Sequence, residues 1–235
     1  MASITYNNKN NKEFGLILTN DVSHEISTND IEALEIEGRD GAVLLDHQRL
    51  KPIERAFPFV LKDEVYPATS KISEWLGIKG WHDLELSWDP KFVYKATVLK
   101  TLNIEEVVKR FGKLRVAFYV HPIKIYKDSR QLQSISNGQT VQNRGNVPSK
   151  PILEITGSGN AEITINERLT RLENLQGGVT IDMQNWLMHH NYAAQWDKLL
   201  RTESSDYPYL DVGSNRISWT GNISVELAKY EGVKL

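Results

Sequence analysis

The feature that most constrains this chain is a switch in side-chain character at every second residue, in short runs cut by turn formers. Leu114, Val116, Phe118 and Val120 alternate along one run that stops at His121-Pro122. Leu84, Leu86 and Trp88 alternate with polar residues up to Asp89-Pro90, and Phe92–Leu99 follows as a further extended segment. Short apolar runs also occur at Phe14–Leu18 and Ile31–Ile36. Successive side chains of a strand point to opposite faces, so this period writes one buried face and one wet face. The same pattern restarts in the second half at Ile152–Thr156, Ala161–Asn166, Gly178–Met183, Asn215–Thr220 and Ile223–Ala228. Many short strands between Gly, Asn and Ser turns specify a mainly β protein, a sandwich or a barrel.

One Gly-rich stretch tests that reading. Gly157-Ser158-Gly159-Asn160 follows an apolar run, as a phosphate-binding loop would. A phosphate loop, however, opens a helix whose free N–H groups face the anion. Here Ala161-Glu162-Ile163-Thr164-Ile165-Asn166 alternates with period 2. The stretch therefore reads as a hairpin loop between two strands, its glycines supplying positive φ. No G-x-x-x-x-G-K-[ST] and no G-x-G-x-x-G occurs in the sequence.

Helical signals are few. Residues 69–77 (TSKISEWLG) predict one short helix, with Ser70 as cap, Ile72, Trp75 and Leu76 on one face, and Gly77 ending it in the left-handed conformation. Residues 103–111 fit a second short helix capped by Asn103, with Glu106 at the third position, but Val107 and Val108 also suit a strand. Gly38-Arg39-Asp40-Gly41 marks a tight turn or a bulge between strands. Trp186–Leu200 is the least β-like part of the second half and reads as a long loop with a helical turn. The polar stretch 127–150 reads as a connection carrying a short strand of its own. The division that follows is a β domain at 1–130, a connecting segment at 131–150 and a second β domain at 151–235.

Composition narrows function mainly by exclusion. Net charge is −2, and neither half is biased: residues 1–130 carry 19 basic and 19 acidic residues, and the remainder 9 and 11. That gives no nucleic-acid footprint. There is no cysteine, so disulfides, Cys-ligated metals and Cys nucleophiles are absent, which fits folding in a reducing cytoplasm. The polar start MASITYNNKNNKEFG lacks the apolar core of a secretory signal, and no apolar stretch approaches the ~20 residues of a membrane span.

No catalytic constellation emerges. His189-His190 is the one His pair, and adjacent histidines on one segment rarely both ligate a metal; they read as loop residues. Asp30, Glu32, Glu35, Glu37 and Asp40 crowd one stretch, which reads as a solvated sheet edge rather than a glycosidase pair. Of the six tryptophans, Trp75 and Trp219 sit on apolar faces and read as core, whereas Trp186 and Trp196 could stack on a sugar ring. We therefore expect no catalytic residues, no cofactor and no metal, and assign no ligand-binding residue.

Four ordered stretches carry a resemblance over nearly the whole chain: residues 38–61; 71–77 with 84–99; 111–126; and 143–167 with 177–185 and 209–227. In this order they resemble the distal tail (Dit) proteins of siphophages. The resemblance implies a structural virion protein at the tail tip, made in the bacterial host cytoplasm. It implies an N-terminal domain like tail-tube subunits that builds a hexameric ring, and a galectin-like β-sandwich outside it. Implied partners are further copies of the chain, the major tail-tube protein, the tail-associated lysin or fibre (Tal) protein and receptor-binding proteins. It offers no catalytic residue to carry over. Residues Gly38–Leu45 and the helix at 70–76 are expected to shape the N-terminal domain. The alternative is a lectin-like module that binds bacterial cell-wall saccharide.

Overall fold

The computed structural model describes residues 2–19, 25–100, 104–108, 111–201 and 206–235. The chain is mainly β and divides into two compact units, Met1–Lys124 with Lys234–Leu235, and Ile125–Val233. Each has its own hydrophobic core.

The first unit contains β1 (Ile4–Tyr6), β2 (Lys9–Asn10), β3 (Leu16–Leu18), β4 (Asn29–Glu35), β5 (Ala42–Leu50), β6 (Ile53–Leu61), the helix α1 (Val65–Leu76), β7 (His82–Leu86), β8 (Phe92–Thr97), β9 (Ile104–Val108) and β10 (Phe111–Val120). The main sheet runs β2-β1-β7-β8-β10-β6-β3, with β9 beside β10. The alternation in 114–120 is realised: Leu114, Val116, Phe118 and Val120 are buried while β10 pairs with β6 along its length. Residues 104–108 are a strand, not a helix; two β-branched valines and pairing to β10 outweigh the weak helical pattern, and Asn103 lies outside the described residues.

The helix starts earlier than the sequence suggests. It begins at Val65 after Glu64, so Ser70 is an interior residue and not the cap. Pro67 disguises this start, yet a proline in the first turn costs no hydrogen bond, because the first N–H groups of a helix have no intrahelical acceptor. Val65, Ala68, Ile72, Trp75 and Leu76 form the buried stripe. Trp75 stacks on Phe14 at 4.5 Å between centroids and donates its indole N–H to the Tyr6 carbonyl at 3.0 Å. Gly77 ends the helix with φ −81°, not left-handed; its N–H still bonds back to the Ser73 carbonyl.

The second unit opens at β11 (Ile123–Tyr126), which spans the junction, and continues with β12 (Gln133–Ile135), β13 (Thr140–Asn143), β14 (Ile152–Ile165), β15 (Arg168–Asp182), β16 (Leu187–His190), β17 (Ala193–Ala194), β18 (Leu199–Leu200), β19 (Gly213–Ala228) and β20 (Gly232–Lys234). Its sheet runs β12-β19-β14-β15-β16-β17, with β13 beside β19 and β18 beside β15. The polar stretch 131–150 thus supplies two strands, both paired to β19. The stretch Trp186–Leu200 is not a long loop; it carries β16, β17 and β18 around one 3-10 turn at Trp196–Lys198.

Gly157-Ser158-Gly159-Asn160 is not a hairpin loop. It lies inside β14, a single strand of 14 residues. Likewise Asn215–Thr220 and Ile223–Ala228 are one strand of 16 residues. A 14-residue strand spans about 45 Å, too long to lie flat on one small core. Yet Leu153 and Ile155 at one end and Ile163 and Ile165 at the other bury into the same core, while Ser158–Asn160 between them is exposed. The sheet therefore folds over, and the glycines make the corner. Pairing registers shift at this level on both sides of β14. Gly157 and Gly178 have φ near 150°, and a Cβ on either would stand 2.3 Å from a carbonyl oxygen of the neighbouring strand. The chain reverses instead at Asn166-Glu167, a two-residue turn between β14 and β15 with Asn166 at φ 55°.

The end of this unit is held by a buried charge. The Glu231 carboxylate has no solvent exposure and accepts from Arg144 Nε at 2.7 Å and Lys229 Nζ at 2.8 Å. Burial alone would raise its pKa, but the hydrogen bonds from Arg144 and Lys229 outweigh that and hold it below the usual range.

Candidate functional site

The first candidate is the ribbon β4–β5. It forms a two-stranded sheet apart from the main one, and most of its side chains are exposed. Opposed residues of an antiparallel pair share a face. The pairs Ile31–Asp46, Ala33–Leu44 and Glu35–Ala42 therefore define one face, and Glu32–Leu45 and Leu34–Val43 the other. Both faces carry large apolar groups; Leu44 is 68% exposed and Leu34 42%. Gly38 and Gly41 take positive φ at the tip, so the segment is a turn between strands. Gly38–Leu45 adds no residue to the core of its unit, contrary to the expected shaping role, whereas the helix does.

The acidic cluster lies along the same ribbon. Asp30 is held by Arg49 at 2.7 Å and Lys51 at 3.2 Å, and these cations lower its pKa. His47 lies 3.6 Å from Glu32. Glu32 and Glu35 project from opposite faces, so they do not confront each other across a cleft. Among the described residues, no group of three or more His, Asp or Glu could hold a metal ion. His189 and His190 lie on β16, paired across to β15 and β17, rather than in a loop.

The second candidate is aromatic. Trp186 ends the turn between β15 and β16 with φ 55°, a strained conformation for a bulky residue, and is 45% exposed. Asp182 builds that turn: its carboxylate accepts from the N–H groups of Gln184 at 2.8 Å and Asn185 at 3.0 Å, and from the Asn185 amide at 2.8 Å. Tyr207 and Tyr209 stand almost perpendicular to the indole, at 5.3 Å and 6.4 Å between centroids, and Lys150 Nζ lies 5.4 Å over it. Tyr207 also lines a cleft of about 140 Å³ with Leu199, Arg201 and Asp206. The Arg201 guanidinium lies 5.4 Å over the Trp196 ring. The two tryptophans singled out by sequence thus connect to one cleft, through Tyr207 and Arg201.

Tyr207, Arg201, Asp206 and Lys150 were not legible as site residues. The aromatic pair in Tyr207-Pro208-Tyr209 was the available signal. Trp75 is core, as expected, and Trp219 packs partly buried against the core and donates its indole N–H to the Ile223 carbonyl at 3.2 Å.

No helix among the described residues is long and apolar enough to cross a membrane. No family model matches the sequence, and no curated protein matches it. The crystal structure of the SPP1 Dit protein (gp 19.1), described as a paradigm of the hub adsorption apparatus in phages that infect Gram-positive bacteria, is similar to this chain with a TM-score of 0.75. The similarity covers 100% of this chain and 99% of that chain, at 12% sequence identity. This chain has the fold of the SPP1 Dit protein over its full length.

Proposed function

We propose that this chain is a distal tail hub protein of a siphophage, a structural component of the adsorption apparatus that closes into a hexameric ring. The observation that carries the reading is the shared fold, which covers 100% of this chain and 99% of the SPP1 Dit chain. The β4–β5 ribbon supports the self-association. An isolated two-stranded ribbon is marginal in water, and one with apolar groups on both faces gains stability when both are covered. In a ring each copy packs between two others, so surface at its two interfaces is covered by neighbouring copies. On this reading the tail-tube protein and the Tal protein stack on the ring, receptor-binding proteins attach at its periphery, and the protein resides at the virion tail tip after synthesis in the host cytoplasm.

The test is light scattering on the purified protein, alone and with its tail-tube and Tal partners, with negative-stain images of the same peak. Rings of six in either sample support the reading. A monomer that persists with both partners present removes it.

A further inference from the structure

We propose that Asn137-Gly138 is a conformationally gated modification site, whose deamidation is blocked while β12 and β13 lie on β19 and proceeds when they detach. The inference does not depend on the tail-hub reading.

The pair is the one Asn-Gly step in the sequence. An asparagine before glycine is open to attack by its own backbone, because glycine has no Cβ to obstruct the approach and turns freely about φ and ψ. The Gly138 amide nitrogen bonds to Asn137 Cγ and the Cγ–Nδ2 bond breaks. The side-chain nitrogen leaves as ammonia, carrying the Gly138 amide proton. Water then opens the succinimide ring at either carbonyl, giving aspartate or isoaspartate. Water is the one other reactant.

The fold withholds both reacting groups. The Gln139 N–H donates to the Ser136 carbonyl at 3.0 Å and closes a turn around the pair, with Gly138 at φ 82°. The attacking nitrogen is engaged, since the Gly138 N–H donates to the Ile217 carbonyl at 2.9 Å. Asn137 is exposed, yet its amide is held. Its Oδ1 accepts from the Trp219 N–H at 2.8 Å and its Nδ2 donates to the Trp219 carbonyl at 2.7 Å. The side chain thus stands in for a strand peptide group. It bridges the pairing with β19 between Ile135↔Val225 and Thr140↔Arg216. Ring closure needs Cγ to swing toward the Gly138 nitrogen, so these bonds must break first, in a local opening of the edge.

Modification then favours the detached edge. An aspartate only accepts hydrogen bonds and leaves the Trp219 carbonyl without its donor. An isoaspartate adds a carbon to the main chain of the turn. In either product β19 loses the two strands that cover it and becomes an open sheet edge, which natural proteins guard against.

The experiment follows the tryptic peptide 131–144 by mass spectrometry while the full-length protein is incubated in mildly alkaline buffer, native or in concentrated urea. A gain of one mass unit at Asn137 is expected in urea, and at least tenfold more slowly in the native protein. Val141 is buried on β13, so Val141→Ala loosens this edge without touching the Asn-Gly step. It should raise the native rate at least threefold and leave the rate in urea unchanged. Equal rates in native and unfolded protein overturn the proposal, as does an Asn137 that stays intact in urea or a native rate unmoved in a folded Val141→Ala. Asn137→Asp, shown to be folded by circular dichroism, should exchange the amide hydrogens of 131–144 at least tenfold faster than wild type. Exchange at the wild-type rate overturns the release of the edge by modification.

Discussion

Arg144 contributes both an ion pair and the satisfaction of a carboxylate that water never reaches. With Arg144→Ala, Glu231 keeps Lys229 but loses its hydrogen bonds to the guanidinium. Lys229 and the backbone N–H of residue 144 still hold the carboxylate, so urea unfolding of this variant should show a loss of about 1.5–3 kcal/mol, the worth of hydrogen bonds to a charged group. The same group sets an acid limit. The folded pKa of Glu231 lies below its ordinary 4.5, so the unfolded chain binds more protons as pH falls. Its stabilisation is complete above about 4.5 and is lost as pH drops through the folded value. A thermal-melt series in wild type should therefore fall steeply below that pH, and the fall should be shallower in Arg144→Ala. Nothing in the sequence marks Glu231 as buried: it stands between Tyr230 and Gly232 near the end of the chain, and its partner Arg144 is 87 residues away.

At the scale of elements, corners and faces decide the outcome. Gly178→Ala would place a Cβ 2.3 Å from the Ile155 carbonyl oxygen at a φ that side chains avoid. The neighbouring backbone must move, so a loss of about 2–3 kcal/mol is expected in chemical denaturation. The glycine cluster in β14 was visible in sequence but not its meaning. A turn and a bulge both need glycine's freedom, and what separates them is whether the chain reverses. That depends on pairing of β14 with β15 and β19, tens of residues away. The ribbon allows a cleaner separation of folding from assembly. Leu44 and Leu45 are exposed and outside the core. The double change Leu44→Asp, Leu45→Asp should alter stability of the isolated chain by no more than about 0.5 kcal/mol. It should abolish higher-mass species in light scattering, because two charges per copy would enter the covered faces.

For the whole molecule the relevant quantity is mass. Six copies of a 26.8 kDa chain give about 161 kDa, with an open centre expected in images of a cyclic assembly. The full-length likeness at 12% identity shows how little side-chain identity this architecture requires. Apolar alternation of the right period, with volume conserved in each core, is enough to keep a β fold while surface residues change. The ordered stretches at 38–61, 84–99, 111–126, 143–167, 177–185 and 209–227 are legible for that reason: they are mostly strands and their corners, while 71–77 lies on the helix.

The sequence by itself determined the class and most of the buried face. Leu114 to Val120, Leu84, Leu86 and the Ile72–Trp75–Leu76 stripe announce their burial through local periodicity. Tertiary structure alone decided that β14 and β19 are single folded-over strands, that the helix begins at Val65 despite Pro67, and that the ribbon's leucines face solvent. It also decided that Trp186 packs against Tyr207 and that the Arg201 guanidinium lies over Trp196. The physical reason is range. Periodicity and turn chemistry act over a few residues, whereas strand continuity, the neutralisation of Glu231 and the walls of a cleft depend on contacts between residues far apart in the chain, and these exist only once it has folded.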